Sequence, residues 1–351
     1  MATTTTALDD STDADPIFEV RNATVQFDSP RGVSTVLDNV SIDIQRGETL
    51  GIVGESGSGK SMFADALLDA VVEPGTLSGD VRYRPEDGEP VDVLDLSASE
   101  LRGYRWEEVS MVFQGAMSSF NPTMRIREHF AETLSAHGSD RETGLERART
   151  LLTDLYLEPD RVMGSYPHEL SGGMRQRTLI ALSLVLKPEV LVMDEPTAAL
   201  DLLMQRSILT LLEDIKAKYD ITLVFITHDL PLVAHLADRM AVLYAFEFAE
   251  LGRTDDILRH AAHPYTRALL SATPNIDAPL DEMRPIGGSS PDPVTKPDGC
   301  SYHPRCPLAD PECRAAPPRL ESAEEADHAV ACYHWEDAAD DIQLPYQGGD
   351  G

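Results

Sequence analysis

The sequence predicts an α/β fold built around a phosphate-binding loop and a buried parallel sheet. Residues 54–61 read Gly-Glu-Ser-Gly-Ser-Gly-Lys-Ser and fit the pattern G-x-x-x-x-G-K-[ST]. The apolar run Leu50–Val53 precedes this loop as a buried strand would, and residues 62–70 follow it with the apolar spacing of a helix. A second continuous apolar run, Val190–Met193, is typical of a strand that is buried on both faces of a parallel sheet.

The loop is expected to bind the phosphates of a nucleotide. Its glycines let the backbone curl so that N–H groups face an anion, and the N-terminus of the next helix adds partial positive charge. Lys60 would reach the β- and γ-phosphates, and Ser61 would hold Mg²⁺. A Gly/Ser-rich turn without a ligand is the alternative, and the agreement of strand, loop, lysine and helix argues against it. The predicted nucleotide-binding residues here are Gly54, Glu55, Ser56, Gly57, Ser58, Gly59, Lys60 and Ser61.

Two carboxylates follow the second apolar run. Asp194 is placed to bind the Mg²⁺ shell, and Glu195 would polarise the attacking water as a general base. In a chain this acidic, a pair of solvated acids at a strand end is the alternative reading. The phosphate loop upstream favours the interpretation of these acids as a metal ligand and a general base.

Motifs further along the chain resemble those of the ATP-binding-cassette (ABC) ATPases. After the phosphate loop come Leu170–Arg177 (Leu-Ser-Gly-Gly-Met-Arg-Gln-Arg), Val190–Thr197, Ala199–Asp201 and Leu223–Asp229. The order and spacing cover roughly residues 17 to 260. The resemblance implies a RecA-like core with an N-terminal antiparallel β-subdomain and an α-helical subdomain, binding ATP and Mg²⁺ and hydrolysing the ATP.

The resemblance also implies roles for three residues whose own signals are weak. It assigns His228 to the γ-phosphate switch, although a lone histidine is more often structural. Gln114 matches the glutamine that couples Mg²⁺ and the γ-phosphate to the transport partner. Phe27 lies where cassette proteins carry an aromatic residue that stacks on adenine, and burial in a small β-sheet explains it almost equally well.

A second predicted anion site lies at the N-terminus of the helix predicted from Met174 to Leu186. Ser171, Gly172 and Gly173 open this helix, and helix N-termini attract anions. In the cassette family this site closes over the ATP that a facing subunit holds, so the resemblance implies a dimer with two ATPs at its interface. The same resemblance places Asp201 among the nucleotide-binding residues.

The segment after the cassette resembles that of the ATPases of dipeptide and oligopeptide importers. The residues that carry this resemblance are His263–Leu270 and Gly299–Pro307, and it extends the match to about residue 336. It implies peptide uptake across the cytoplasmic membrane. The implied partners are two membrane permease subunits, a second and different ABC ATPase, and indirectly an extracytoplasmic solute-binding protein. Sugar or nickel cargo is the alternative, because relatives of this ATPase serve those solutes too.

One departure from these relatives lies at Phe246, where a glycine turn is usual. A bulky residue is unfavourable at a position that needs positive φ, so the geometry of this turn is left open. The phosphate chemistry is not affected.

The four cysteines of the chain, Cys300, Cys306, Cys313 and Cys332, all lie in the C-terminal extension. Their spacing lacks the C-x-x-C pairs of ordinary zinc ribbons, although His303 and His334 could add nitrogen ligands. A [4Fe–4S] cluster needs four thiolates, and the importer resemblance also points to one. Zinc, and reduced thiols or disulfides, remain the alternatives. A metal here would act as a structural staple for a Pro-rich segment with little apolar core.

The amino-acid composition indicates the environment of the protein and the partners that its charge disfavours. The chain has 29 Lys+Arg against 60 Asp+Glu, a net charge of −31, and only five lysines. This balance predicts a halophilic host, since in molar salt a Debye length of about 3 Å screens the self-repulsion. An acidic face for a basic partner is the rival reading. The charge disfavours nucleic-acid binding, and no second cassette or coiled-coil insertion supports a soluble cassette ATPase of DNA repair or translation.

The predicted organisation has four parts. Residues 1–16 are expected to be a disordered tail without signal-peptide character, and residues 17–260 form the ATPase domain, with a helical subdomain at about 114–180. Residues 261–336 form the cysteine-containing extension, and 337–351 an acidic tail. Because no apolar stretch approaches the twenty or so residues that span a bilayer, we expect docking on permeases at the cytoplasmic face of the membrane.

Overall fold

The computed structural model describes residues 16–113, 115, 119–198, 200–272, 286–323 and 327–342. The predicted disordered tail lies outside the described residues except for Pro16, which opens the first strand. The strands are β1 (Pro16–Ser29), β2 (Gly32–Gln45), β3 (Thr49–Val53), β4 (Gly75–Tyr83), β5 (Val91–Asp92), β6 (Val109–Val112), β7 (Val190–Asp194), β8 (Thr222–Ile226), β9 (Arg239–Tyr244), β10 (Glu247–Arg253), β11 (Glu321–Ser322) and β12 (Ala329–Val330).

Helices connect and cover these strands. They are α1 (Lys60–Leu67), α2 (Ala98–Gly103), α3 (Ile126–Ala136), α4 (Arg141–Asp154), α5 (Pro159–Gly164), α6 (Gly172–Ser183), α7 (Leu202–Tyr219), α8 (Leu230–Leu236), α9 (Thr254–His260), α10 (Pro264–Ala272), α11 (Pro311–Ala315) and α12 (Trp335–Asp341). None of the helices in the described ranges is both long and apolar enough to cross a lipid bilayer.

Two sheets organise the chain. The smaller one is antiparallel, with the order β2-β1-β4-β5. The larger one, as far as the chain is described, has the order β11-β12-β10-β9-β3-β8-β7-β6, and its strands from β9 to β6 run parallel. This arrangement confirms the predicted α/β fold with an antiparallel β-subdomain.

The centre of the larger sheet is fully buried, as the apolar runs predict. Every residue of β3, β7 and β8 is buried. Parallel strands need no polar face when both sides are covered, which explains why these segments lack alternation. Because the strands run parallel, the loops that follow β3, β7 and β8 emerge at one edge.

Two predicted helices differ from the structure at one end. The helix predicted from Arg141 to Leu157 starts at Arg141, where the Asp140 carboxylate accepts a hydrogen bond from the Thr143 N–H at 2.9 Å, and it ends earlier than predicted, at Asp154. The helix predicted to start at Met174 starts at Gly172, because the Ser171 hydroxyl accepts from the Met174 N–H at 3.3 Å.

The C-terminal extension is continuous with the larger sheet. Strand β12 pairs antiparallel with β10 of the cassette, and β11 pairs with β12. The fully buried Glu250 carboxylate accepts hydrogen bonds from the N–H groups of Ala262 (2.6 Å) and His263 (3.0 Å) and lies 2.7 Å from Nε2 of His328. Strand pairing and a satisfied buried carboxylate therefore dock the extension across the domain boundary predicted at residue 260. The boundary predicted at residue 336 falls inside α12.

The turn with the unusual phenylalanine is a two-residue β-hairpin between β9 and β10. Both of its residues have positive φ, 49° at Ala245 and 76° at Phe246. This is the backbone that hairpins of this length favour, and it strains any residue that carries a Cβ. Phe246 is buried; its N–H donates to the carbonyl of Ser58 and its carbonyl accepts from the N–H of Asp38. The hairpin thus supports the phosphate loop from behind.

Candidate functional site

The phosphate loop joins β3 to α1 and depends on two glycines for its shape. Gly54 has φ of 153°, and a Cβ there would lie 2.2 Å from the carbonyl oxygen of Leu243. Gly59 has φ of 106°, and a Cβ there would lie 2.6 Å from the carbonyl oxygen of Val36. Both positions therefore require glycine on grounds of space and of backbone conformation.

Lys60, the first residue of α1, is buried under the loop. Its Nζ donates to the carbonyl oxygens of Gly54 at 2.8 Å and Glu55 at 2.9 Å. Burial lowers the pKa of Lys60, and the carboxylates of Glu195 and Asp194 oppose that shift. The ammonium group is thus held inside the loop close to the acids of the neighbouring strand.

Ser61 and Asp194, the two predicted Mg²⁺ ligands of the loop and of β7, lie next to each other. The Asp194 carboxylate is buried, and its Oδ1 has no hydrogen-bond partner among the described residues. Burial raises the pKa of Asp194, and the neighbouring Ser61 hydroxyl partly offsets that rise. A hydroxyl beside a buried carboxylate oxygen with spare coordination capacity matches the oxygen ligands that Mg²⁺ prefers, so these residues fit the metal.

Glu195 and His228 also meet, at the ends of adjacent strands. Oε1 of Glu195 lies 2.7 Å from Nδ1 of His228, with the glutamate nearly buried and the histidine largely exposed. Glu195 has φ of 48°, in the left-handed region, and its N–H donates to the carbonyl of Ile226 at 2.9 Å. Strained backbone of this kind persists where the surroundings over-determine it, commonly at functional sites.

The other predicted nucleotide residues lie at helix starts and in the smaller sheet. Asp201 caps α7, accepting from the N–H groups of Leu203 (3.1 Å) and Met204 (3.0 Å). Ser171 caps α6, and among the described residues no hydrogen bond links it to the phosphate loop. The half-buried Phe27 on β1 pairs with Gly75 on β4, where a Cβ would lie 2.6 Å from its ring. Gln114 lies outside the described residues.

The four cysteines gather around one pocket in the extension. They line it with three histidines and Tyr302, and all four carry free thiols; the lining histidines are His263, His303 and His334. Burial, reinforced by the neighbouring cysteines, raises the pKa of Cys306 to about 11 and that of Cys332 to about 12. Ligand atoms of Asp310, Cys313 and His334 also lie within 4.8 Å of one another.

Some residues of the site carry no recognisable sequence signal. The Asp65 carboxyl on α1 has its pKa raised to about 6 by burial and by Asp194. The Tyr265 hydroxyl accepts from the N–H of Glu55 at 2.9 Å, and Arg305 pairs with the Glu55 carboxylate. Tyr265 and Arg305 lie in the segments that resemble the importers, but nothing in their spacing points to a partner more than 200 positions earlier.

Comparisons with known proteins agree with this geometry. The family described as "ABC transporter" matches residues 37–198, and "Oligopeptide/dipeptide transporter, C-terminal region" matches residues 249–313. The chain is 41% identical to the dipeptide transport ATP-binding protein DppD of Caldanaerobacter subterraneus, over 87% of this chain and 93% of that protein. It is 40% identical to the oligopeptide transport ATP-binding protein OppD of Escherichia coli, over 87% of this chain and 90% of that one.

Among solved structures, a dimeric ATP-binding cassette bound to ADP and phosphate is similar at a TM-score of 0.58 and 27% identity, covering 68% of this chain and 98% of that one. The cbiO1 cassette of Clostridium perfringens is similar at a TM-score of 0.59 and 24% identity, and the match covers 69% of this chain and 90% of that one. This likeness supports the fold only.

Proposed function

Because the chain belongs to the ABC transporter ATP-binding proteins of the dipeptide and oligopeptide group, we propose that it hydrolyses ATP to power peptide uptake across the cytoplasmic membrane. The observation that carries this proposal is the convergence at one sheet edge of the phosphate loop, the Ser61–Asp194 pair and the Glu195–His228 pair. An importer-type extension is docked beside them.

In the proposed mechanism each loop or strand end has its own task. Lys60 and the loop N–H groups bind the β- and γ-phosphates, and Ser61 and Asp194 would hold Mg²⁺, which would supply positive charge to neutralise the phosphates. Glu195 accepts the proton of the attacking water, and His228 orients its carboxylate through the 2.7 Å contact. Gln114 is proposed to report the state of the phosphates to the permease, and Phe27 to stack on adenine.

The remaining assignments concern a second subunit. We propose that Ser171, Gly172, Gly173 and Asp201 close over ATP held by a facing cassette of a heterodimer. Exposed leucines directly after Asp201, Leu202 and Leu203, support an interface at this helix start. Two permease subunits would complete the complex at the cytoplasmic face, with a solute-binding protein on the other side.

Affinity purification from the host's own membranes in molar salt tests this assembly. We expect mass spectrometry to find two multi-span permeases and a second cassette ATPase, with an attached binding protein that identifies the cargo. A sugar or nickel binding protein would keep the transporter and overturn the peptide cargo. Recovery only from the soluble fraction, with ribosomes or DNA, would overturn transport altogether.

We further propose that the cysteine pocket holds a [4Fe–4S] cluster through Cys300, Cys306, Cys313 and Cys332. Four free thiols line one pocket, and each has a raised pKa because burial and its neighbours disfavour the thiolate. A metal centre would compensate that charge and staple the extension. Zinc held with Asp310 and His334 is the alternative.

Metal analysis of anaerobically purified protein separates the two metals. We expect about four iron and four sulfide per chain with a broad visible absorption band. One zinc per chain without sulfide would establish the alternative, and neither metal would contradict both.

Finally, we propose that the protein is adapted to molar salt. The acidic residues behind the net charge of −31 are spread along the whole chain. We therefore expect salt, rather than one basic partner, to offset the repulsion between them.

A further inference from the structure

The second residue of the phosphate loop is held by the C-terminal extension. Nη1 of Arg305 lies 2.7 Å from Oε2 of Glu55, and Nη2 lies 2.9 Å from Oε1. This is the bidentate fork that gives arginine–carboxylate pairs their strength and direction. Only 5% of the arginine side chain and 24% of the glutamate side chain is exposed, so solvent screens the pair less than a surface ion pair.

Every polar group of Glu55 is engaged. Its N–H donates to the Tyr265 hydroxyl at 2.9 Å, its carbonyl accepts from Lys60 Nζ, and Ser290 Oγ donates to its carboxylate at 3.2 Å. Glu55 therefore links the lysine of the phosphate site to the extension. Its negative charge would repel a bound phosphate, and the guanidinium of Arg305 neutralises that charge.

Arg305 is itself positioned by the cysteine pocket. It lies in a tight turn whose backbone bonds run from the His303 N–H to the Cys300 carbonyl (3.0 Å) and from the Arg305 N–H to the Tyr302 carbonyl (2.9 Å). Cys300 and Cys306, on the two sides of this turn, both line the pocket. The backbone turn that carries Arg305 is therefore also part of the wall of the pocket.

Contacts from both the cassette and the extension also fix the guanidinium. Its Nη1 lies 3.3 Å from the hydroxyl of Tyr244, at the end of β9, and the ring centroids of Tyr244 and Tyr302 lie 5.7 and 5.9 Å from its Cζ. Its Nε donates to the carbonyl of Gly287 at 2.6 Å. With these contacts made, the arginine has little freedom to rotate away from Glu55.

We propose that Arg305 is a positioning residue for nucleotide binding, which transmits the order of the cysteine pocket to the phosphate loop through Glu55. The inference rests on the proposed ATPase function and adds a regulatory link to it. Disorder in the pocket displaces Arg305, leaves the Glu55 carboxylate unneutralised beside the phosphates, and weakens ATP binding.

A double-mutant cycle on ATP affinity tests the pair. R305Q should raise the Kd for a fluorescent ATP analogue, and the KM for ATP, by about five- to tenfold because an unpaired carboxylate remains, with kcat changing much less. E55Q removes that carboxylate, so the R305Q/E55Q double variant should bind ATP better than R305Q alone. A purely structural role for Arg305 predicts no such rescue.

The matched control is R31Q. Arg31 pairs with Asp292 and also joins the cassette to the extension, but its side chain is 67% exposed and, within the described residues, it bonds Asp292 and no residue of the loop. R31Q should leave ATP affinity unchanged. Equal Kd values for wild type, R305Q and R31Q, or a double variant as weak as R305Q, would overturn the proposal.

Coupling to the pocket is tested by C306S in two backgrounds. In the wild-type background C306S should weaken ATP binding several-fold, and in R305Q/E55Q it should add little because the link is already cut. Equal effects in both backgrounds would overturn the coupling. Wild-type protein that neither binds nor hydrolyses ATP would instead overturn the proposed function, so the two failures are distinguishable.

Discussion

Nδ1 of His228 lies 2.7 Å from Oε1 of Glu195, although the residues follow different strands and are 33 positions apart. The two strands, β7 and β8, are parallel neighbours, with Asp194 paired to Ile226. Each residue that follows a strand is thus delivered to the same place. A carboxylate held by a histidine beside a phosphate loop is suited to orient and deprotonate water.

The first prediction concerns this carboxylate. We expect E195Q to lower the ATP turnover rate by roughly 10²- to 10⁴-fold, because an amide cannot accept the proton of the attacking water. The Kd for ATP should change little. Phosphate release and equilibrium binding measure the two effects, with E146Q, at an exposed position on α4, as the control. Wild-type turnover in E195Q would remove Glu195 from its role.

The second prediction concerns its partner. H228A should lower kcat by about 10²-fold or more, since Glu195 loses the contact that orients it. H228N should retain more activity than H228A, because an asparagine amide can donate from near the position of Nδ1. Steady-state kinetics of both variants measure this order, and an H228A variant as active as wild type would contradict it.

The third prediction concerns the strained hairpin behind the phosphate loop. F246G should relieve about 1 kcal/mol of left-handed strain but lose about 2–3 kcal/mol of ring burial, for a net destabilisation of about 1–2 kcal/mol. A245G relieves similar strain and loses only a methyl group, so we expect it to be nearly neutral. Urea unfolding in molar salt measures both, and a stabilised F246G would show that strain dominates.

The fourth prediction concerns pH. Burial lowers the pKa of His263 to about 4, below its usual 6.5, so folding favours the neutral ring. The protein should lose stability as pH falls from 6.5 towards 4, by about 2 kcal/mol between pH 7 and pH 5 from this residue. H263N keeps an acceptor for the Tyr265 N–H and does not titrate.

Melting temperatures of wild type and H263N across that range measure the His263 effect. The stability difference between them should shift in favour of H263N as pH falls. Parallel pH curves for the two proteins would contradict the prediction.

The fifth prediction concerns salt. With a net charge of −31, the free energy of unfolding should rise as KCl increases from 0.1 to about 2 M, because screening reduces self-repulsion. Thermal unfolding across that range measures it. Stability that falls or stays constant would overturn the proposed salt adaptation.

The chemistry of the nucleotide site could be predicted from the sequence because it depends on local patterns. The loop 54–61 requires glycine at fixed positions, and the runs before it and before Asp194 are uninterrupted because both faces of those strands are buried. Helix ends were less accurate: α6 starts two residues before the predicted Met174 because the Ser171 hydroxyl caps it through a single hydrogen bond that apolar periodicity does not register.

The sequence by itself thus determined the fold class and the phosphate loop, since each depends on neighbours within a few residues, whereas His228 was predicted only through the family resemblance. Only the tertiary structure decided that Arg305 neutralises Glu55, 250 positions earlier, and that Phe246 is kept in a strained turn behind the loop. A contact between distant segments depends on how the chain folds back on itself. The extension reaches the loop because β12 pairs with β10 and Glu250 anchors it, and no local pattern encodes that path.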